Sequence, residues 1–419
     1  MTGAFHRLPN GGRIDRLKPL DFHFDGKRLQ GFEGDTIASA LLASGVDLVG
    51  RSFKYHRPRG IYSAGVEEPC GLVTLEKGVR RDPNVASTTY ELRQNLRAIS
   101  QNRWPSLKYD ALSVNRLAGP MLAAGFYYKT FMGPSKKSWM RYEPLIRRAA
   151  GLGVATLEPD PDRYEGRHEF CDLVVVGAGP AGLAAALSAG RAGALVLLVE
   201  QEFLAGGALL NEPVGSPAAE WLSAMLVELE SLPNVQLATR TTVFGLYDHN
   251  TLGLLERRDH EQPDPSSGRA RQVVVTVRTK SIVFATGAIE RPLVFNNNDR
   301  PGVMLAGAAR AYLNRFAVAP RSSVVVATNN DGAYAAAFDL ADAGMHVTVA
   351  DLRATVDDAI TARAKVKGID LLAGMAVVDV TGGRKVEAAL IAPFRADGGK
   401  PAFSHESRKA DGEIGRAHV

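Results

Sequence analysis

Residues Asp172–Glu200 read DLVVVGAGPAGLAAALSAGRAGALVLLVE: an apolar strand, a glycine turn, an amphipathic helix and a second apolar strand closed by an acid. That succession is a βαβ unit. Gly177, Gly179 and Gly182 stand in G-x-G-x-x-G spacing, and each has a mechanical reason. Gly177 permits the tight turn, Gly179 lets backbone approach a pyrophosphate with no Cβ in the way, and Gly182 brings the helix close to its strand. Pro180 and Ala181 open the helix, whose first amides and partial positive charge face the phosphates. Glu200 can accept hydrogen bonds from an adenosine ribose and would repel a 2′-phosphate, so with Gln201 it points to FAD or NAD rather than NADP. Glycine turns chosen for packing alone look similar singly, but here strand, helix and terminal acid occur together.

Working outward, Gly206 and Gly207 in the AGG at 205–207, and Thr286 and Gly287 after SIVFATG at 281–287, are further turns of the sort found beside a bound dinucleotide. Taken singly they could be ordinary turn glycines. A second βαβ passage, SSVVVATNNDGAYAAAFDLADAGMHVTVAD at 322–351, has Thr328, Asn329 and Asn330 where a working site places glycine. The expectation is a retained fold with weakened or lost NAD(P)H binding; an asparagine-lined anion cradle is the alternative.

Upstream, LDFHFDGKRLQGF at 20–32 alternates apolar and polar residues around Asp25-Gly26, a hairpin signal. Asp35 and Thr36 offer caps for IASALLASG, and CGLVTLEKG at 70–78 reads as another strand. Residues 95–168 change to aromatics, basic residues and prolines, including GFYYKTFMGPSKKSWMR at 125–141, and read as a mostly helical connector.

Composition sets the outer bounds. The 419 residues, 45% apolar and 23% charged, exclude a disordered or fibrous chain and a minimal binding module. Net charge is +5, yet residues 1–150 carry 24 basic against 13 acidic groups, so the first third is positive and the remainder negative. An acidic partner or phosphate ligand would suit that asymmetry, as would solvated loops; nucleic acid is not expected, because no recognised motif accompanies the charge. The two cysteines, Cys70 and Cys171, form neither a disulfide framework nor a C-x-x-C pair, and both read as small core residues. No metal-binding spacing occurs, and His56 and His168 read as loop residues. The apolar run 171–190 nears a membrane span in length, but its glycines and Pro180 belong to the nucleotide pattern. No membrane association and a cytoplasmic location are the expectations.

The segments GRSFKYHRPRGI at 50–61, EEPC at 67–70, GFYYKTFM at 125–132 and NNDRPGVM at 297–304 carry a resemblance to the α subunit of heterotetrameric sarcosine oxidase, over roughly residues 13–393. Related α subunits serve opine and amino-acid dehydrogenases. The resemblance implies an α/β chain: a ferredoxin-like β-grasp domain at 13–94, the connector at 95–168, then a two-dinucleotide-binding-domain (Rossmann-like) flavoprotein fold at 169–398, incomplete at the C-terminus. The tail 399–419 is expected to be truncated, and EIGRAHV at 413–419 matches what a sequencing adapter would encode.

Iron-sulfur relatives cluster cysteines ahead of the strand at 72, where this chain keeps only Cys70, so no iron-sulfur cluster is expected. For the basic loop Arg51, Lys54, Arg57 and Arg59, solvation is the first expectation, then subunit contact, then phosphate binding. The resemblance further implies NAD in this chain, with FAD as the alternative, and FAD and FMN in an assembled complex with β, γ and δ subunits. It implies conversion of sarcosine, oxygen and water to glycine, formaldehyde and hydrogen peroxide, with tetrahydrofolate taking the one-carbon unit at a domain beyond residue 419. No catalytic residue is assigned to this chain, whose fragment alone is expected to be inactive; an FAD-bearing α subunit of an opine or amino-acid dehydrogenase and a noncatalytic assembly subunit are the alternatives.

Overall fold

The structure is a computed structural model and describes residues 6–122, 133, 135–149, 151–258, 268–319, 322–394, 407–408 and 414–416. Strands β1 (Asp15–Phe24) and β2 (Lys27–Glu33) form the expected hairpin, with Asp25 at φ 48° and Gly26 at φ 82° making its two-residue turn. Helix α1 (Ile37–Ala43) starts at Thr36, whose side chain accepts from the Ser39 amide while Ser39 reciprocates on the Thr36 amide. That capping box satisfies two donors an isolated helix start would leave bare. A ribbon of β3 (Gly50–Arg51) and β4 (Pro58–Arg59) follows, then β5 (Leu72–Leu75), β6 (Asp82–Ala86) and β7 (Arg97–Ser100).

The first sheet has the order β2-β1-β7-β5-β6. It therefore runs past residue 94, because β7 fills the gap between β1, which it pairs in parallel, and β5. The stretch read as a mostly helical connector also holds strands: β7 comes first, a 3-10 helix covers Ala111–Leu122, and α2 (Trp139–Ala149) is followed by β8 (Arg163–Val176), which begins before residue 169. The aromatic segment 125–132 lies outside the described residues.

The second sheet is ordered β10-β9-β8-β13-β12-β11, with β9 (Val196–Val199), β10 (Val235–Ala238), β11 (Thr241–Tyr247), β12 (Thr251–Arg257) and β13 (Ala270–Phe284). Helices α3 (Pro180–Arg191) and α4 (Pro217–Ser231) connect its parallel strands. In the third sheet, β14 (Val303–Leu305) and α5 (Ala306–Phe316) precede β15 (Ser323–Thr328), α6 (Gly332–Asp342), β16 (His346–Asp351), α7 (Asp358–Val366) and β17 (Asp370–Ala373). An antiparallel unit of β18 (Met375–Thr381), β19 (Ala388–Pro393) and β20 (Ser407–Arg408) follows, and β21 (Ile414–Arg416) lies between β14 and β15 in the parallel third sheet.

One apolar core joins the N-terminal sheet to α5: Phe22, Ile37 and Leu41 are buried in the same cluster as Tyr312 and Phe316. Each such side chain contributes about 1.5–3 kcal/mol by leaving water, and the Tyr312 hydroxyl finishes the joint by donating to the Ser63 carbonyl at 2.8 Å. A charged pair ties the N-terminal unit to the second sheet as well, with Arg240 bidentate on Glu91 at 2.6 Å for both bonds. The basic loop is part of this joint rather than solvated. Arg57 donates to Asp299 at 2.7 Å and to Asn297 at 2.9 Å, and Arg59 pairs with the same aspartate.

The histidine expectation also changes. His56 is fully buried with Nδ1 2.7 Å from Asp110, in a pairing that a separation of 54 positions conceals from sequence reading, and His168 lies within strand β8. Cys171 sits inside β8, half-buried and packed against the apolar core of the second sheet.

Candidate dinucleotide site

Three adjacent parallel strands end together, since Val176 of β8 is in register with Val199 of β9 and with Phe284 of β13. The three turns singled out in the sequence, Gly177–Gly182, Glu200–Gly207 and Ala285–Gly287, therefore emerge at one sheet edge. This is the crevice outside the carboxyl ends of parallel strands, where doubly wound sheets bind ligands.

Backbone hydrogen bonds tie the turns to one another. The Gly177 amide donates to Val199 at 2.8 Å, Ala285 to Val176 at 2.8 Å, and Gly206 to Ala178 at 2.8 Å. Gly177 has φ 99°, and a Cβ there would lie 2.4 Å from the Ala285 carbonyl oxygen. At Gly182 a Cβ would fall 1.8 Å from the Gly177 oxygen, which is the close helix-to-strand approach expected of it. Gly179 differs: the nearest atom to a Cβ would be the Gly207 Cα at 4.0 Å. Space lies over Gly179 in front of the α3 N-terminus, where Pro180 occupies the first turn and the amides of Ala181 and Gly182 have no intrahelical acceptor.

Glu200 is buried, and its carboxylate accepts from the Ala178 amide at 2.8 Å and the Glu202 amide at 2.9 Å. Burial raises its pKa, and those amides pull the other way. Two carboxylate oxygens offer about four acceptor positions, so capacity remains for ribose hydroxyls. Gln201, Gly207, Thr286 and Gly287 are exposed along the same edge, whereas Gly206 is buried with φ 137° and serves the turn. Within those turns, sequence reading gave no role to Ala178 or Glu202 and took Ala285 only as part of the third turn. Their part is played by backbone groups, which residue type does not announce. Glu202 also pairs with Arg315 of α5 at 2.6 Å, fixing the turn to the neighbouring unit.

In the second unit the turn is occupied by its own side chains. The Asn330 carboxamide oxygen accepts from the Gly332 amide at 2.7 Å, and the Thr328 hydroxyl donates to the Asn330 carbonyl at 2.8 Å. Asp351, at the position matching Glu200, is fully buried and bonded to Tyr334 at 2.8 Å and Arg353 at 2.7 Å, while Arg353 also reaches Asp331 at 2.8 Å.

The loop before β5 is organised by a carboxylate. Glu68 is buried and accepts four backbone amides, those of Tyr62, Ser63, Cys70 and Gly71, at 2.6–2.9 Å. Burial raises its pKa against the effect of those amides. Burial also pushes the Cys70 thiol up to about 12, with the Glu68 charge adding to the shift.

The pyridine nucleotide-disulphide oxidoreductase family matches residues 171–398, more than half of the chain, and the chain belongs to that family. It is homologous to sarcosine oxidase subunit alpha: 51% identical to that of Rhizobium meliloti (strain 1021), over 92% of this chain and 39% of the relative, and 40% identical to that of Corynebacterium sp. (strain P-1), over 92% and 36%. It thus spans about two fifths of the length of these curated relatives. Among solved structures, L-proline dehydrogenase from P. horikoshii aligns with a TM-score of 0.58 at 17% identity, covering 98% of this chain and 62% of that one, a likeness of fold alone.

Residues 17–103 match the 2Fe-2S iron-sulfur cluster binding domain. That finding runs against the expectation of no iron-sulfur cluster, which was built on counting thiols, and assigns the segment to a cluster-binding family. The side chains present do not fit the group itself. Cys70 is the single thiol of that domain, no cluster of three or more His, Cys, Asp or Glu among the described residues could hold a metal ion, and a two-iron cluster takes about four ligands. No chemistry is derived through it. Among the described residues, no helix is long and apolar enough to cross a membrane.

Proposed function

We propose that this chain is the nucleotide-binding part of a flavoprotein amine oxidoreductase of the sarcosine oxidase kind, acting in the cytoplasm with partner subunits. Its own task is to hold an adenine dinucleotide. The observation that supports this most is the open space over Gly179 facing the α3 N-terminus, flanked by the Glu200 carboxylate. Ala181 and Gly182 amides would bind the pyrophosphate, Glu200 would orient the ribose, and Gly207 and Thr286 would border the crevice. NAD is the occupant that the resemblance implies, with FAD as the alternative in the same cradle.

When bound in such a complex, a flavin supplies the two-electron acceptor for oxidation at the amine carbon. The groups touching the amine belong, in this reading, to a partner subunit, and no residue here is assigned to the transfer. The overall reaction proposed is sarcosine, oxygen and water to glycine, formaldehyde and hydrogen peroxide, with tetrahydrofolate accepting the one-carbon unit where present.

The test is mass spectrometry of nucleotide released on heating the purified chain, followed by peroxide assay after coexpression with partner subunits. NAD or FAD at about one per chain is the expected result. A well-folded sample that neither releases nor takes up any adenine dinucleotide would sink the reading.

A further inference from the structure

A cavity of about 450 Å³ lies where the N-terminal sheet meets the segment before β14, and none of the dinucleotide-cradle residues lines it. Its volume is that of an ordinary small-ligand pocket. Three guanidinium groups, Arg51, Arg59 and Arg300, line it against a single carboxylate, Asp299. That carboxylate is already shared between Arg57 and Arg59. Arg51 and Arg300 are otherwise held by carbonyl oxygens, of Leu107 and His56 for Arg51 and of Gly382 for Arg300, apart from a 4.0 Å approach of Arg51 to Asp110. Positive charge in the lining thus exceeds negative by two groups.

Burial is the first cause lowering the pKa of all three arginines; Arg57 adds to it at Arg300, where Asp379 and Glu387 oppose, and more weakly at Arg59, where Cys70 opposes. An anion would relieve that repulsion. Phe53 and Leu152, both about half exposed, bring apolar surface to the same space and suit a ligand with a carbon body.

We propose that this cavity is a second ligand site, which takes a small organic oxyanion, with Arg51 and Arg300 gripping the charged end. Carboxylates and phosphate monoesters share the required chemistry, because a planar guanidinium matches two oxygens of either.

The test is calorimetric titration of the full chain with inorganic phosphate and, separately, with acetate, at ionic strength fixed by chloride. ADP is kept saturating so that the dinucleotide cradle is filled. Uptake of either anion, with a Kd raised at least tenfold by Arg300→Gln and unchanged by Lys54→Met, supports the site. Tighter phosphate points to a phosphorylated ligand and tighter acetate to a carboxylate. Arg51→Gln gives the same readout should Arg300→Gln fail to fold.

No heat above the chloride control, or uptake indifferent to both arginine substitutions, overturns the proposal. So does uptake abolished by Gly179→Ala but kept in Arg300→Gln, since that anion would sit in the dinucleotide cradle. If ADP itself is not taken up, the function proposed above fails while arginine-dependent uptake still stands.

Discussion

Gly207 faces Gly179 so closely that a Cβ on Gly207 would come within 2.9 Å of the Gly179 Cα, yet a Cβ on Gly179 would find its nearest neighbour at 4.0 Å. The contact is asymmetric because the Gly179 Cβ direction leads out into the crevice. Gly179→Ala should therefore leave the melting temperature of the nucleotide-free chain nearly unchanged and weaken dinucleotide binding tenfold or more, roughly 1.4 kcal/mol. Gly177→Ala should act oppositely, on folding first. Its φ of 99° costs an alanine about 1–3 kcal/mol, and the new methyl meets the Ala285 oxygen. Denaturation and calorimetry on both variants check the pair; equal stability losses would mean that Gly179 is only a packing glycine.

Glu68 supplies the second prediction. Each carboxylate oxygen accepts two amides, so Glu68→Gln points an NH2 group at two donors. Loss of buried bonds to a charged acceptor should destabilise the chain by about 2–5 kcal/mol. Urea denaturation reads this directly, and a midpoint unchanged from the parent would show that water substitutes for the carboxylate.

The fold was legible where local chemistry carries it: Asp25-Gly26 marks its hairpin, Thr36 its cap, and the three glycines with Glu200 a βαβ unit. What sequence reading missed depends on distant partners. Arg57 and Arg59 look like a solvated basic run until Asp299 is brought between them, 240 or more positions away. Glu290 reads as an unremarkable acid, yet its carboxylate accepts the Ala306 and Gly307 amides at 3.0 and 2.8 Å and caps α5 from outside the helix. β7 was missed because a four-residue strand has too short a period to stand out, and its place is set by the open edges of β1 and β5.

Cys70 should be chemically quiet. With its pKa pushed up from 9.0 to about 12, the thiolate fraction at pH 8 falls about a thousandfold, and alkylation by iodoacetamide should slow accordingly relative to the unfolded chain. The sign for stability follows from the same shift. The folded thiol keeps its proton to higher pH than the unfolded one, so its contribution is intact below about pH 9 and declines as pH rises toward 12. Peptide mass mapping after timed alkylation distinguishes Cys70 from Cys171. Rapid native labelling of Cys70 at pH 8 would contradict the raised thiol pKa.

The second βαβ unit yields the last prediction. Asn330 takes the Gly332 amide that a phosphate would need, and the Asp331 carboxylate, paired to Arg353, lies at the start of α6. A dinucleotide would have to displace both and bring its own negative charge against Asp331. Asp351 offers little recompense to a ribose, because Tyr334 and Arg353 already occupy it in a fully buried position. Titration with NADH should accordingly show at most one binding event per chain, and Gly179→Ala should remove it. A second event that survives Gly179→Ala but disappears on disrupting the β15–α6 turn, for example with Gly332→Val, would show that the asparagine turn cradles phosphate after all. Arg353→Met offers a check in the other direction. Removing the cation from buried Asp351 leaves it the Tyr334 hydroxyl and a backbone amide, and should cost about 1–3 kcal/mol of stability without changing the affinity of the Gly179 cradle, since the two turns belong to different sheets.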